Sequence, residues 1–283
     1  MKVLITGSNG QLGRALKKIF PDHIAVDAEE LDITNLNKVV NFNIDDCKAI
    51  INAAAYTRVD EAEKEENVKI AETINVSGVT NLVDLAETNE IPLVHVSTDY
   101  VFDGTKNGEY TEVDEINPLN IYGRTKAQGD KEAQRAERFY IFRTSWVIGD
   151  GNNFVRTMIS LAEKGINPTV VDDQFGRLTF TNTLAAAIEF ALTNNVPYGV
   201  YNLTNSGSIV SWFDIAKKTF ELTGHDPSRV LGISTEEYYK DKENIAARPK
   251  NSALKLDKIK ASGFKPRSWE YELKEYIKKE LAN

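Results

Sequence analysis

A doubly wound parallel α/β sheet, with a smaller C-terminal lobe assembled from separate later segments, is the fold this sequence predicts. Three observations carry it. An apolar run at the N-terminus ends in a glycine-rich turn, strand-like and helical stretches then alternate, and that rhythm loosens after Trp146. Lys2 to Thr6 is a short continuous apolar run, the pattern of a strand buried on both faces. Gln11 to Phe20 follows with Leu12, Ala15, Leu16, Ile19 and Phe20 at helical spacing, and Pro21 ends it. Further strand-like runs are Ile24–Asp27, Ala49–Ala53, Leu93–Ser97 and Tyr140–Thr144. Helical patterns lie between them at Leu36–Phe42, Val68–Thr88 and Gly123–Arg138. Such alternation builds a parallel sheet with helices on both faces and ligands at the carboxyl ends of its strands. Later come helices at Phe154–Lys164, Thr183–Leu192 and Trp212–Thr223, a strand at Gly199–Leu203 and a closing amphipathic helix at Trp269–Leu281.

The bulk numbers narrow the function. Apolar residues make up 41% of 283, enough for a substantial core. A net charge of -8 argues against a general nucleic-acid or anionic-membrane binder, since both need clustered positive charge. Cys47 stands alone, so neither an intramolecular disulfide nor a thiolate zinc cluster is available. His23, His95 and His225 are far apart, and His95 reads as a structural strand residue. The N-terminus enters a strand at once and no apolar run approaches the ~18–20 residues of a membrane span. The expectation is a cytoplasmic protein with no metal site.

Gly7, Gly10 and Gly13 are spaced G-x-x-G-x-x-G between the first strand and the first helix. Glycines there let the backbone approach a pyrophosphate on the helix N-terminus. The loop from Gly7 through Ser8, Asn9, Gly10, Gln11 and Leu12 to Gly13 is therefore read as the cofactor cradle. This reading makes 1–145 and 180–204 the dinucleotide-binding domain, and 146–179 and 205–283 the substrate-binding lobe. Asp27, followed by Glu29, Glu30 and Asp32, stands where an acid commonly accepts a ribose hydroxyl and disfavours a 2′-phosphate. A solvated acidic turn is the other reading. With no Arg or Lys nearby, the acids lean toward NADH over NADPH. Asn52-Ala53-Ala54-Ala55-Tyr56 offers small residues at a strand end, either for a flat ring to lie against or for close packing. Asn75, polar within an apolar stretch, is a buried amide or part of a proton relay.

Tyr122 and Lys126, four apart on a predicted helix, share one face. A neighbouring ammonium favours the phenolate and moves its pKa from ~10 by roughly one to three pH units. That brings the phenol toward useful acid/base work. Thr98 reads alongside them as the hydroxyl that holds a substrate carbonyl oxygen. With the glycine loop, the combination points to hydride transfer at a carbonyl carbon.

The chain resembles the dTDP-4-dehydrorhamnose reductases, a branch of the extended short-chain dehydrogenases/reductases built on a Rossmann sheet. The motifs that carry this are G-S-N-G-Q-L-G, N-A-A-A-Y-T, S-T-D-Y-V-F-D-G, P-L-N-I-Y-G-R-T-K, F-R-T-S-W-V, V-D-D-Q-F-G and R-P-K-N-S. The resemblance implies a catalytic Thr98, Tyr122 and Lys126, with Asn75 supporting Lys126 through a water. It places Asp32 and Ile33 near the adenine, and Ala53, Ala54, Ala55 and Tyr56 along the cofactor, NADH or NADPH. It puts Asp99, Tyr100 and Trp146 in the sugar pocket and Arg248 near the nucleotide end of a dTDP-linked 4-keto-6-deoxy sugar. Other nucleotide-sugar 4-ketoreductases and non-catalytic regulatory subunits share the pattern. Leu178 replaces the usual proline of D-Q-x-G-x-P-T. Ala15 stands where some members carry a glutamate tied to a magnesium-linked dimer, which implies a monomer or weak homodimer.

Overall fold

The computed structural model describes residues 1–282 and follows the expected alternation. The chain begins with β1 (Val3–Thr6), α1 (Gln11–Ile19), β2 (His23–Val26), α2 (Leu36–Val40) and β3 (Ile50–Asn52). It continues through α3 (Glu65–Glu72), a π-helical turn (Thr73–Ser77), α4 (Gly78–Thr88), β4 (Leu93–Thr98), α5 (Ile121–Ala133) and β5 (Phe139–Thr144). Next come β6 (Val147–Ile148), α6 (Phe154–Glu163), β7 (Thr169–Val171), β8 (Phe175–Gly176), β9 (Thr179–Phe180), α7 (Thr181–Thr193) and β10 (Gly199–Asn202). The last are β11 (Val210–Ser211), α8 (Trp212–Leu222), β12 (Leu231–Ile233), α9 (Thr235–Tyr239), α10 (Asp257–Ala261) and α11 (Trp269–Glu280).

Six strands form one sheet in the order β10-β5-β4-β3-β1-β2. Every adjacent pair is parallel. The chain moves outward from β1 in one direction to β2 and in the other from β3, so a crevice opens between β1 and β3 at their carboxyl ends. Register there sets Thr6 beside Asn52, and Asn52 beside His95. Alternate side chains feed two apolar layers, as the pleat requires. Val3 and Ile5 join Leu12, Leu16, Leu184 and Ile188, which packs α1 against α7. Leu4 and Ile50 face the other way, onto Val26, Leu82 and Leu85. A third cluster gathers Ile148, Val155, Leu178, Phe180, Ile215, Trp269 and Leu273 from the later segments.

Several elements depart from the sequence expectation. The single helix expected at Val68–Thr88 begins earlier, at Glu65, and is broken by the π turn. That turn holds Asn75 inward, and such bulges recur where a side chain has a task inside. Helix α5 starts at Ile121 because Asn120 caps it, its Oδ1 accepting the Gly123 N–H at 2.7 Å, and it stops at Ala133, short of Arg138. Strand β2 ends at Val26, leaving Asp27 in the turn. The strands β6 to β9, β11 and β12 span only two or three residues each, too short to leave a periodic signal. Among the described residues no helix is long and apolar enough to cross a membrane.

Trp269 is the anchor of the third cluster. It is buried, and its indole N–H donates to the Ser208 carbonyl at 2.9 Å. Trp269→Ala should lower stability by about 3–5 kcal/mol, read by urea denaturation. A loss under about 1 kcal/mol would show that this cluster contributes little.

Candidate active site

A cleft of ≈ 750 Å³ runs along the carboxyl edge of the sheet. Gly7, Gly10, Gln11, Leu12, Asp27, Asp32 and Ile33 line one end, and Thr98, Asp99, Tyr100, Tyr122, Lys126 and Trp146 the other. Ala53, Ala54 and Ala55 form the floor between. The glycine turn is built for close approach. Gly7 has a φ of +65°, and a Cβ there would meet the Ala54 nitrogen at 2.6 Å. A Cβ on Gly13 would meet the Gly7 carbonyl oxygen at 2.3 Å. Helix α1 opens from Gly10 without a side-chain cap, so its first N–H groups face the cleft unsatisfied. An uncapped helix start beneath a bare backbone turn fits a dinucleotide pyrophosphate.

Asp27 is already engaged. Its Oδ2 accepts from Ser8 Oγ at 3.0 Å and from the Asn9 N–H at 2.7 Å. Gln11 points away from the turn, its Oε1 accepting the Gly149 N–H at 2.8 Å. Arg14 ties the Asn9 and Asp150 carbonyls together on the same side. The Thr34 hydroxyl bonds Asp32 and holds its carboxyl below the usual range, although burial opposes this. Asn75 holds Tyr56 at both backbone groups, accepting from its N–H at 2.8 Å and donating to its carbonyl at 3.2 Å. Its amide also donates to Thr125 Oγ1 at 3.0 Å. Direct contact is therefore with the residue beside Lys126, not with Lys126 itself.

The sequence places Tyr122, Lys126 and Thr98 together, and so does the structure, with partners that differ from expectation. Lys126 was expected to lower the Tyr122 pKa. Instead burial pushes the phenol up, with the Thr98 hydroxyl opposing and Asp99 and Asp130 adding to the rise. The reason is where the amine goes. Lys126 Nζ donates to the Val96 carbonyl at 2.7 Å and meets His95 Nε2 at 3.2 Å, folded against β4. Burial lowers its pKa to about 8, with Asp130 pulling the other way. Thr98 Oγ1 donates to Asp99 Oδ1 at 2.9 Å, so its proton is committed to that carboxylate. Tyr100 packs its ring edge-on against Tyr122 at 5.6 Å.

Trp146 adopts a left-handed φ of +51° and stacks on Trp212 at 4.0 Å. Arg248 lies outside this cleft, in a neighbouring depression with Tyr239 and Lys242. It pairs with Asp60 at 2.8 Å and lies over the Tyr239 ring. Leu178, in place of proline, is fully buried in the third cluster.

Sequence reasoning missed three residues. His95, read as merely structural, touches Lys126. Asp130 and Arg143 form a wholly buried pair behind it, at 3.1 Å. A signal existed: Lys126 and Asp130 are spaced four apart on one helix, and Arg143 interrupts an apolar strand.

A parallel sheet, a glycine turn at its switch point and a Tyr–Lys helix over its fourth strand define a Rossmann-like α/β protein. The chain matches the family described as RmlD substrate binding domain over residues 1–282. It is 41% identical to a dTDP-4-dehydrorhamnose reductase of Aggregatibacter actinomycetemcomitans, covering 96% of this chain and 97% of that one. A crystal structure of a dTDP-4-dehydrorhamnose reductase from Clostridium acetobutylicum superposes with a TM-score of 0.91 at 40% identity, covering 98% and 99% of the two chains. One from Bacillus anthracis, in complex with NADP, gives 0.91 at 36% identity, with the same coverage. The chain belongs to the RmlD family.

Asp99 gives a pH signature. Burial raises its carboxyl from 3.8 to about 6, against the Ser252 and Thr98 hydroxyls. The native state therefore holds more protons than the unfolded chain between those values, and stability falls as pH rises through that window. Asp99→Asn should flatten this fall, gaining on the order of 1–3 kcal/mol at pH 7 and nothing below about pH 4. Urea titrations across pH check it, and parallel wild-type and variant curves would refute it.

Proposed function

We propose that this chain reduces the C4 keto group of dTDP-4-dehydro-6-deoxy-L-mannose to give dTDP-L-rhamnose, in the cytoplasm, with NADH or NADPH. One observation carries the reading: Thr98, Tyr122 and Lys126 converge at the end of the cleft opposite the glycine turn. The names of the relatives support the substrate. When bound, the reduced nicotinamide supplies the hydride. The protein's part is to hold the sugar carbonyl beside Tyr122 and deliver a proton as charge gathers on its oxygen.

Burial keeps the Tyr122 phenol protonated, which suits an acid waiting for an alkoxide. The Thr98 hydroxyl tempers the rise of that phenol, and donates to the sugar oxygen only when its proton leaves Asp99. Lys126 reaches the phenol and a cofactor ribose after leaving the Val96 carbonyl. Asn75 shapes the Tyr56 backbone and the Thr125 side chain beside it. Segments 146–179 and 205–283 form the sugar side, contributing Trp146 at the cleft and Arg248 at its margin, where a nucleotide phosphate is received.

Tyr122→Phe keeps the ring and removes the proton, so kcat should fall by roughly 10²–10⁴-fold while cofactor affinity holds. Steady-state kinetics and fluorescence titration decide, and retention of more than about a tenth of kcat would sink the assignment. Cofactor choice follows from Asp27, whose carboxylate is shared with Ser8 and Asn9 and so repels a 2′-phosphate weakly. The expected ratio of kcat/KM for the two cofactors is less than about tenfold, or about 1.4 kcal/mol. A larger preference for NADPH at fixed ionic strength would contradict this role for Asp27.

A further inference from the structure

A polar chain crosses three strands beneath the cleft. Thr6 Oγ1 donates to Asn52 Oδ1 at 2.8 Å, and the Ala54 N–H donates to the same oxygen at 3.1 Å. Asn52 Nδ2 meets His95 Nδ1 at 3.1 Å, and His95 Nε2 meets Lys126 Nζ at 3.2 Å. Asn52, His95 and Lys126 are all buried.

The direction of each bond can be worked out from one end. A backbone N–H is only a donor, so the Asn52 atom facing Ala54 must be the carbonyl oxygen. The Asn52 amide nitrogen then faces His95 and donates to Nδ1. A neutral imidazole with a bare Nδ1 carries its proton on Nε2. Burial keeps this ring neutral. The Nε2 proton points at Lys126 Nζ, where two donors cannot share one contact. The lysine nitrogen must offer a lone pair.

Few charges surround this contact. Asp130, on the same helix as Lys126, has its Oδ1 3.8 Å from His95 Nε2, beyond hydrogen-bond reach. Its Oδ2 is taken by Arg143 of β5, while its buried Oδ1 has no hydrogen-bond partner. Tyr122, one turn earlier on α5, is held as the neutral phenol. Asp99, at the end of β4, is occupied by Thr98. From the π turn, Asn75 presents an uncharged amide. Among the described residues Asp130 alone favours the charged lysine, and burial outweighs it.

We propose that His95 is a positioning residue for Lys126: its Nε2–H, in a tautomer locked by Asn52 and Ala54, favours the uncharged amine against β4 in the cofactor-free protein. Lys126 holds its charge, with a proton from solvent, more readily on leaving this contact for the phenol and ribose. The inference rests on the reductive role proposed for Lys126, but the tautomer itself does not.

Nitrogen-15 spectra of the histidine rings in the cofactor-free protein test the tautomer directly. With three histidines in the chain, a His95→Gln variant identifies the ring. A protonated Nε2 beside a bare Nδ1, unchanged from about pH 6 to 9, is expected. A protonated Nδ1, or an imidazolium, overturns the proposal even if the enzyme reduces its sugar as expected. Linkage to Lys126 is read from the pH profile of kcat/KM, which reports the free enzyme. Glutamine can turn its carbonyl toward an ammonium, which the locked imidazole cannot. The alkaline limb of His95→Gln should therefore move up by about one pH unit with the sugar KM little changed. A limb at the wild-type position overturns the proposal, since a purely structural role would leave it there.

Discussion

The site depends on how closely helix α5 lies against the sheet and its neighbours. A Cβ on Gly129 would meet the Asn75 carbonyl oxygen at 2.3 Å, and one on Gly123 would meet the Tyr100 carbonyl oxygen at 2.2 Å. With hydrogen in both places, the helix drops onto β4 and carries Lys126 and Asp130 into the interior. Burying those groups opposes their charged forms. Arg143 answers Asp130, and the Val96 carbonyl and His95 receive Lys126. The electrostatics of the cleft are thus a consequence of two missing side chains on one helix.

This also explains what the sequence could and could not convey. Local signals were legible: the glycine turn, the apolar strands, and the four-residue spacing of Tyr122 and Lys126. Spacing says that two side chains share a helix face, but not which way a long flexible one turns. The ammonium assumed to face the phenol finds a carbonyl and an imidazole on β4 instead. His95 looked structural because a buried strand surrounds it. Its partner Asn52 is set beside it by strand register, a relation between segments 43 residues apart. The π turn was hidden for a similar reason, since the amide that it turns inward answers to Tyr56 and Thr125 rather than to its own helix.

The later segments are argued differently. Their strands are short and their order in space comes from packing, with Trp146 on Trp212 and Trp269 at the centre of its cluster. Leu178 belongs to that account. Where the family resemblance implies a proline, this protein fills the core between Phe180 and Ile215, while the Leu178 carbonyl receives the Asn205 N–H at 3.2 Å. The loop is held by burial rather than by ring closure.

The packing of α1 on α7 has a consequence for how the protein is made. Leu12 and Leu16 emerge early from a ribosome, yet Leu184 and Ile188, which cover them, follow after most of the chain has been synthesised. The strand that flanks β5 arrives later still, at Gly199–Asn202. Until then the nascent sheet has an open edge and one uncovered apolar face. Contacts so distant in sequence slow folding, and exposed strand edges invite aggregation. A chaperone that shelters the growing N-terminal half would therefore matter more for the yield of this protein than for its final stability.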